Sequence, residues 1–202
     1  MEQQNFILII SSPSGAGKTS LSKQLLKADP RLCPSISATT RKKRAGEIEG
    51  QDYYFVEKPE FSEMLLKGEF LENAEVFDNH YGSPKKHVFA SLANGRDVLF
   101  DIDWQGAQTL KEKLGSLVVS VFILPPSLQE LEIRLNSRGQ DSSEVIARRM
   151  ERAKIEISKY DLYDYVLINK DFDKTLARIS TIIAAERLRH FDFSQFVNDM
   201  MK

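Results

Sequence analysis

The chain has almost no cysteine: Cys33 is its single one, so a disulfide bond within the chain is excluded. A lone thiol is typical of proteins in a reducing compartment. Long apolar runs are missing as well, because Phe6–Ile10 is too short for a signal-peptide core or a membrane span. The polar stretch before it, Met1–Asn5, carries no lysine or arginine. We therefore expect a cytoplasmic protein that does not associate with a membrane.

An excess of charge of either sign is also missing. The chain has 28 Lys and Arg residues against 29 Asp and Glu residues, which gives a formal net charge of −1. No overall positive field therefore points to nucleic acid or to an anionic membrane. Its three histidines are scattered and no cysteine cluster accompanies them, so a structural zinc site is not expected. The length of 202 residues suits one compact domain with a proper core.

Short apolar runs rich in β-branched or aromatic residues predict the core strands. Each run is too short for a helix, and its apolarity is continuous rather than alternating. Continuous apolarity is typical of strands that are covered on both faces, as in a parallel sheet. The runs are Phe6–Ile10, Val98–Phe100, Val118–Leu124 and Tyr165–Ile168, with Ser35–Ala38 as a weaker fifth candidate.

Helical patterns lie between these runs, and the alternation predicts a doubly wound α/β fold. Lys18–Ala28 carries leucines on one stripe, and Pro84–Asn94 stops at a glycine, which favours helix termination. Asp173 can cap a long final helix. The residues predicted to face inward from that helix are Leu176, Ile179, Ile183 and Leu188.

Two segments interrupt this alternation. Gln51–Phe77 reads as strand, helix and strand between the second and third core strands, which indicates an inserted lobe. Ser127–Ile155 reads as helix, loop and helix with many arginines, which indicates a mobile cover over something anionic. The arginines of this second segment are Arg134, Arg138, Arg148, Arg149 and Arg152.

The strongest motif is the glycine-containing run Ser12–Thr19, which follows the first predicted strand and opens the first predicted helix. This is the context of a phosphate-binding loop, in which backbone N–H groups and the helix N-terminus surround a phosphate. Lys18 can reach the outer phosphates, and the Thr19 hydroxyl can ligate Mg²⁺. The predicted ATP-binding residues here are Ser14, Gly15, Ala16, Gly17, Lys18, Thr19 and Ser20.

Two further features qualify this loop. The usual pattern begins with glycine, but this sequence has Ser12, which costs roughly 1 kcal/mol or more if the position needs a positive φ. The strand around Val98–Phe100 ends in Asp101, which places a carboxylate at the carboxyl edge of the sheet. We expect Asp101 to hold Mg²⁺ with Thr19, partly through water.

A basic loop supplies a second predicted anion site. Residues 41–44 are all Arg or Lys and have no aromatic residue between them, which disfavours single-stranded nucleic acid. Arginine forks match phosphate oxygens in a bidentate manner. Composition alone also allows a solvated run of charges.

The whole segment, Ser37-Ala-Thr-Thr-Arg41-Lys-Lys-Arg44-Ala-Gly46-Glu-Ile-Glu-Gly50-Gln-Asp-Tyr53, resembles the signature of the guanylate kinase family. The resemblance extends from Ile7 to about Arg189 and is closest to the bacterial single-domain members. It continues through Phe70-Leu-Glu72-Asn-Ala, Tyr81-Gly82-Ser83, Asp101-Ile-Asp103-Trp-Gln-Gly106, Arg138-Gly139 and Tyr165-Val-Leu-Ile-Asn169.

The resemblance implies a role for each matching residue. The GMP phosphate would be bound by Arg41, Arg44, Tyr53 and Tyr81. The guanine pocket would be lined by Ser37, Glu72, Ser83 and Asp103. Asn169 would lie near the ATP base, and the catalytic residues would be Lys18, Arg41, Arg138 and Arg149.

The chemistry of Glu72 agrees with this implication. Guanine presents N1–H and N2–H₂ donors side by side, whereas adenine presents an acceptor at N1. An ionised carboxylate has only acceptors, so it matches the guanine edge and repels the adenine one. We therefore favour GMP over AMP as the phosphoryl acceptor.

The resemblance implies an α/β P-loop NTPase fold with a central parallel sheet, an inserted α+β lobe that binds GMP, and a helical lid. We expect a single domain over residues 1–202, with the core at 1–34, 84–126 and 156–202, the lobe at 35–83 and the lid at 127–155. The implied reaction is reversible phosphoryl transfer from ATP to GMP with Mg²⁺, within purine nucleotide metabolism. The implied partners are these two small substrates, and self-association stays open.

Two alternatives remain at this stage. One is another acceptor, such as AMP or dGMP, since nothing in the sequence reads the ribose 2′-hydroxyl. The other is a noncatalytic peptide-binding module of guanylate-kinase type. Such modules typically have a degraded phosphate loop, whereas this chain retains Lys18, Thr19 and Asp101.

Overall fold

The computed structural model describes residues 2–3, 5–44, 46–76, 78–137, 142–189 and 191–202. Its strands are β1 (Glu2–Gln3), β2 (Ile7–Ser11), β3 (Leu32–Pro34), β4 (Ala38–Thr39), β5 (Tyr54–Phe55), β6 (Phe70–Val76), β7 (Asn79–Pro84), β8 (Asp97–Asp101), β9 (Val118–Leu124), β10 (Tyr165–Ile168) and β11 (Phe191–Asp192). Its α-helices are α1 (Lys18–Ala28), α2 (Lys58–Leu66), α3 (Lys85–Ala93), α4 (Trp104–Leu114), α5 (Leu128–Ser137), α6 (Ser143–Ile157), α7 (Phe172–Arg189) and α8 (Ser194–Met200).

The central sheet has the order β10-β9-β2-β8-β3, and all of its neighbouring strands are parallel. Strand β2 lies in the middle, between β8 and β9, and each of its residues is buried. The chain leaves β2 toward β3 on one side and later returns to β9 on the other. This reversal of strand order is where open α/β sheets form a crevice for ligands, at the carboxyl ends of the strands.

Two hydrophobic cores cover the faces of this sheet. Successive side chains of a strand point to opposite faces, so Leu8 and Ile10 pack into one core while Ile7 and Ile9 pack into the other. The first core is completed by α1 and α7, and the second by α3 and α4. The continuous apolarity of β2 is therefore explained by burial on both faces, and the predicted α/β class with a central parallel sheet is confirmed.

A second sheet has the order β5-β4-β7-β6. Strands β6 and β7 form an antiparallel hairpin, β4 pairs antiparallel with β7, and β5 pairs parallel with β4. Helix α4 packs against β6, which joins this sheet to the central one. Among the described residues, no helix combines the length and the apolar composition that crossing a lipid bilayer requires.

Three details of the sequence prediction are wrong. The fifth core strand is β3 rather than Ser35–Ala38, because the buried Leu32 and Cys33 pair with β8, while Ala38 belongs to the second sheet. The side chain that caps α7 is Asp171, which accepts a 3.0 Å hydrogen bond from the backbone N–H of Lys174, so Asp173 is not the cap. Leu188 is 73% exposed and does not face the core.

A buried ion pair fixes α7 to the sheet. The Arg187 side chain donates from Nε to Asp97 Oδ2 and from Nη1 to Asp29 Oδ2, each at 2.7 Å. Asp97 also accepts a hydrogen bond from the backbone N–H of Phe6 at 3.1 Å, and its side chain is 1% exposed. One guanidinium therefore joins the last long helix to β8 and to the end of α1.

We predict that Arg187→Met lowers the free energy of unfolding by about 3 kcal/mol, because it leaves the buried carboxylate of Asp97 without its counter-ion. Urea denaturation followed by circular dichroism measures this change. The matched control is Arg178→Met on the exposed side of the same helix, which should change stability by no more than about 0.5 kcal/mol. Equal effects of the two substitutions would contradict the assignment.

Candidate functional site

The polar residues singled out by the sequence meet at the carboxyl edge of the central sheet. The phosphate loop follows β2, Asp101 and Asp103 follow or end β8, and Asn169 follows β10. Because these strands are parallel neighbours, their carboxyl ends share one edge. Ser11 Oγ donates to the backbone carbonyl of Ile102 at 2.7 Å and ties the two strand ends together.

The phosphate loop has the backbone geometry that its glycines permit. Gly15 and Gly17 have φ values of 95° and 101°, in the region that residues with a Cβ rarely adopt. Gly17 is also the N-cap of α1, and as a glycine it has no side chain to cap the first turn. The N–H groups of that turn are therefore directed at the space beside the loop, which favours an anion there.

Ser12 does not strain this loop. The φ of Ser12 is not positive. In the described part of the chain, Asp78 is the single non-glycine residue with a positive φ. The Ser12 hydroxyl donates to the carbonyl of Pro13 at 3.0 Å. The position therefore does not need a glycine here, and the cost considered for Ser12 does not arise.

Asn169 contacts the backbone of the phosphate loop. Its side-chain amide is buried and donates from Nδ2 to the carbonyl of Ala16 at 2.8 Å. A Cβ added at Gly17 would lie 2.6 Å from the same Nδ2 atom. The absence of a side chain at Gly17 is therefore required by the close approach of Asn169 as well as by backbone conformation.

Lys18, Thr19 and Asp101 form a polar cluster beside the loop. Lys18 Nζ lies 2.5 Å from Asp101 Oδ1, and Thr19 Oγ1 lies 3.5 Å from Asp101 Oδ2. The two predicted metal-binding side chains are thus neighbours. Hydroxyl and carboxylate oxygens are the donors that Mg²⁺ prefers, and one or two such groups are enough when phosphate oxygens and water complete the shell.

A cleft of about 340 Å³ opens in front of this cluster. The phosphate loop, Asp101 and Asp103 form one wall, and three residues of α6 form the opposite one: Arg149, Arg152 and Glu156. Helix α6 therefore faces the loop with two cations. Arg138, which the sequence analysis also places near the transferring group, lies outside the described residues.

The basic loop surrounds a compact cluster of polar and aromatic groups. Arg41 lies with its guanidinium 5.3 Å from the centre of the Tyr53 ring, and Tyr53 meets Tyr81 edge-on at 5.9 Å. Glu47 accepts from Arg41 Nη2 at 2.7 Å and from Nη1 at 3.2 Å. The Glu47 hydrogen bond, with a smaller contribution from Tyr81, holds the pKa of Arg41 above its ordinary value. The side chain of Arg44 is exposed beside this cluster.

A buried carboxylate lies deeper in the second sheet. Glu72 is 5% exposed, and its Oε1 accepts a 2.6 Å hydrogen bond from Ser83 Oγ. The hydroxyls of Ser83 and Ser37 are 3.2 Å apart, so the three side chains form a chain of polar groups. Burial raises the pKa of Glu72 above its ordinary value of 4.5, although the Ser83 hydrogen bond opposes the rise.

Asp103 connects this pocket to the cleft. It is the N-cap of α4, where Oδ1 accepts from the N–H groups of Gln105 and Gly106 at 3.1 and 3.2 Å. Its other oxygen, Oδ2, lies 3.7 Å from Arg152 Nη2, and its charge contributes to the raised pKa of Glu72. A Cβ at Gly106 would lie 3.1 Å from Ile102 Cδ1 and 3.2 Å from Glu72 Oε2, so a side chain there would crowd this pocket.

The structure thus assembles three groups of predicted residues. Lys18, Thr19 and Asp101 meet at the loop, Arg41, Tyr53 and Tyr81 meet beside Arg44, and Ser37, Glu72 and Ser83 meet below Asp103. Sequence reasoning missed the roles of Glu47 and Glu156, and it placed Arg152 only among the arginines of a predicted cover. The Gly46-Glu47 pair of the signature was a signal for Glu47, whereas Glu156 stood among ordinary helical charges.

The fold and the loop define a P-loop nucleotide-binding protein. A sequence model of the family described as guanylate kinase matches residues 4–186. A guanylate kinase of Rhodopseudomonas palustris is 54% identical over 94% of this chain and 86% of its own length, and one of Bradyrhizobium diazoefficiens has the same identity and coverage. The crystal structure of a guanylate kinase from Anaplasma phagocytophilum superposes with a TM-score of 0.75 at 40% identity, covering 93% of this chain and 88% of that one.

The chain belongs to the guanylate kinase family, whose members are ATP:GMP phosphotransferases. The match covers the central sheet, the second sheet and α6, so it includes each group of the site described above. Membership favours the enzyme over the noncatalytic module considered from sequence, and the intact Lys18–Asp101 pair agrees with it.

We predict that Gly17→Ala weakens ATP binding by at least about tenfold, because the added Cβ both disfavours the backbone conformation and collides with Asn169. Isothermal titration calorimetry with ATP measures the change. The matched control is Gly95→Ala, where φ is also positive at 76° but nothing lies within 4 Å of the new Cβ. It should lose roughly 1 kcal/mol of stability and retain ATP binding, and an equal loss of ATP binding would contradict the prediction.

We predict that Glu72→Gln is more stable than the parent chain near neutral pH. Because the folded pKa of Glu72 is raised, the parent is stabilised by this group below its ordinary pKa and loses that stabilisation as the pH rises through the folded pKa. A difference of one between folded and unfolded pKa corresponds to about 1.4 kcal/mol. Urea denaturation at about pH 4 and about pH 8 tests this: the advantage of Glu72→Gln should appear only at the higher pH, and a pH-independent difference would refute it.

Proposed function

We propose that this chain transfers the γ-phosphoryl group of ATP to GMP, giving ADP and GDP in a reversible reaction. The observation that carries the proposal is that two sites lie side by side. One is the phosphate loop with Lys18 and Asp101, and the other contains the buried carboxylate of Glu72. Asp103, the N-cap of α4, lies between them. Family membership supports the same reaction.

The loop side would hold ATP. Backbone N–H groups of residues 14–20 and the Lys18 ammonium would bind its phosphates. Thr19 and Asp101 fit a magnesium ion, directly or through water, and the bound ion would neutralise charge on the β- and γ-phosphates. Lys18 would then leave Asp101 for the phosphates, since a phosphate carries more negative charge than one carboxylate.

Asn169 would contribute to ATP binding mainly through the loop. Its side-chain amide already donates to the carbonyl of Ala16 and leaves its oxygen for other groups. The predicted position near the ATP base stays a proposal, and support of the Ala16–Gly17 backbone is the role that its contacts favour.

The second sheet would hold GMP. Arg41, Arg44, Tyr53 and Tyr81 would bind the phosphate, while the buried Glu72 would accept hydrogen bonds from guanine N1–H and N2–H₂. Ser37, Ser83 and Asp103 would line the same pocket. Burial raises the pKa of Glu72, and the donors of the guanine edge would favour its ionised form.

Transfer would proceed by positioning and charge stabilisation. An oxygen of the GMP phosphate forms a bond to the γ-phosphorus as the bond from that phosphorus to the β–γ bridging oxygen breaks, and ADP leaves. The acceptor oxygen is already anionic near neutral pH, so no strong general base is needed. Arg41 would orient the acceptor phosphate, and Arg149 with Arg138 would neutralise the equatorial oxygens of the transferring group.

The division into a core, a GMP-binding lobe at 35–83 and a lid at 127–155 is part of the proposal. The lobe would comprise the second sheet with α2, and the lid would comprise α5 and α6 as far as Ile155, with Arg149 facing the loop. Closure of both over the nucleotides would exclude water and prevent hydrolysis of ATP. We also propose a cytoplasmic role in purine nucleotide metabolism.

The proposal predicts a strong preference for GMP when ADP release is measured with ATP, Mg²⁺ and each of GMP, AMP, CMP and UMP. We expect kcat/KM for GMP to exceed that for AMP by roughly 10³-fold or more, because AMP would leave the buried carboxylate of Glu72 facing an acceptor. Chelation of Mg²⁺ with EDTA should abolish turnover. A preference for AMP, or turnover that ignores the acceptor, would overturn the proposal.

A further inference from the structure

Glu47 is the one acidic residue of the Arg41–Glu47 segment, and its part in the site is unassigned. Residues Arg41 and Arg44 are proposed to bind the GMP phosphate, whereas Glu47 is an anion and repels it. An acidic residue among phosphate-binding cations weakens anion binding, so we expect it to have another task that compensates for this cost. Its contacts show what that task is.

The Glu47 carboxylate binds Arg41 through a two-pronged ion pair. Oε1 accepts from Nη2 at 2.7 Å and Oε2 accepts from Nη1 at 3.2 Å, with the side chains of Arg41 and Glu47 only 13% and 19% exposed. Parallel hydrogen bonds of this kind fix the plane of a guanidinium as well as its position. The pair therefore restricts a side chain that would otherwise have many rotamers.

The turn that carries Glu47 is itself fixed. Glu47 Oε2 also accepts from the backbone N–H of Arg44 at 2.7 Å, and the N–H of Glu47 donates to the carbonyl of Arg44 at 3.2 Å. Gly46 makes this turn with a φ of 87°, and nothing lies within 4 Å of where its Cβ would be. Backbone conformation rather than crowding therefore requires the glycine of the Gly46-Glu47 pair.

The ion pair uses the Nη1–Nη2 edge of the Arg41 guanidinium and leaves a second edge for other partners. Nη1 donates to the carbonyl of Lys42 at 2.9 Å as well as to Glu47, so both of its hydrogens are used. A guanidinium has five donors in a fixed fork. The Nε–H and the second Nη2–H lie on a separate edge, which remains for Tyr81 or for an oxygen of a bound phosphate.

We infer that Glu47 is a positioning residue that orients Arg41 so that its Nε–Nη2 edge meets the acceptor phosphate. The inference rests on the proposed function, since it assigns a task within the proposed GMP site. Glu47 keeps its contact when the nucleotide binds, because the phosphate and the carboxylate use different edges of one cation. The cost of placing an anion near the phosphate is offset by the ordering of Arg41 before binding.

Two other roles for Glu47 predict different results. If the Glu47 carboxylate instead occupied the place of the GMP phosphate, GMP would have to displace it, and removing the carboxylate would tighten GMP binding. If Glu47 only held the loop together, its removal would affect guanosine and GMP alike. The three roles are therefore separated by whether removing Glu47 weakens or tightens GMP binding, and by whether guanosine binding changes as well.

The experiment measures the Kd of GMP and of guanosine by calorimetry for the parent chain, Glu47→Ala, Glu47→Gln and Glu49→Gln. We expect Glu47→Ala to weaken GMP binding by about 10- to 100-fold, as for loss of a charged hydrogen bond, and to change guanosine binding by less than about twofold. Glu47→Gln should weaken GMP binding less, because one acceptor oxygen remains. Glu49→Gln, in the same loop but bonded to the N–H of Phe55, is the control and should change neither value.

A second comparison tests the route through Arg41. In an Arg41→Ala background, adding Glu47→Ala should have no further effect on GMP binding, because the cation that it orients is gone. Tighter GMP binding by Glu47→Ala, equal weakening of guanosine, or additive losses in the double variant would each overturn the inference. If the parent chain itself binds no GMP, the proposed function fails. If it binds GMP and Glu47→Ala binds it equally well, only the role of Glu47 fails.

Discussion

The parallel pairing of β2 with β8 is the constraint on which the site depends. Its register places Ile10 beside Asp101, so the last residue of one strand lies at the start of the phosphate loop that follows the other. Lys18, one residue into α1 from its N-cap, then reaches Asp101 at 2.5 Å. A shift of this register by one residue would turn Asp101 to the other face of the sheet and separate the two halves of the phosphate site.

Features with a local physical cause could be predicted from the sequence. The loop depends on glycines that permit positive φ, and β2, β8 and β9 depend on continuous apolar runs buried on both faces. Strand β10 also follows an apolar run, but it is an edge strand, so its residues alternate between half-buried and exposed, and the expectation that both of its faces are covered is wrong. Elements whose stability comes from distant contacts could not be predicted. Strand β7 contains Asn79 and His80 and forms only because β6 and β4 pair with it, and α4 was missed although its apolar side packs on the sheet. Leu188 fits the helical period but lies where α7 extends beyond the core.

The same distinction holds within the site. Glu72 and Asp103 were placed in one pocket only through the resemblance to the family, because 31 positions separate them and no local pattern brings them together. The contact between Arg152 and Asp103 depends on how α6 lies over the cleft, which no local pattern encodes. The Arg41–Glu47 pair is close in sequence, yet it requires the turn at Gly46 to bring both oxygens onto the guanidinium.

The charges of the site are paired with each other, and this pairing sets what a ligand must offer. Lys18 neutralises Asp101, Arg41 is held by Glu47, and Arg152 lies between Asp103 and Glu156. Glu72 differs, because burial disfavours its charged form and raises its pKa, and the hydrogen bond from the neutral Ser83 hydroxyl offsets this rise only in part. A phosphate that took Lys18 from Asp101 would gain only the difference between two similar interactions, whereas donors that reach Glu72 would stabilise a charge that burial disfavours. Under the proposed function, phosphate contacts would therefore contribute mainly to affinity and alignment, while discrimination between purine bases would be concentrated at Glu72.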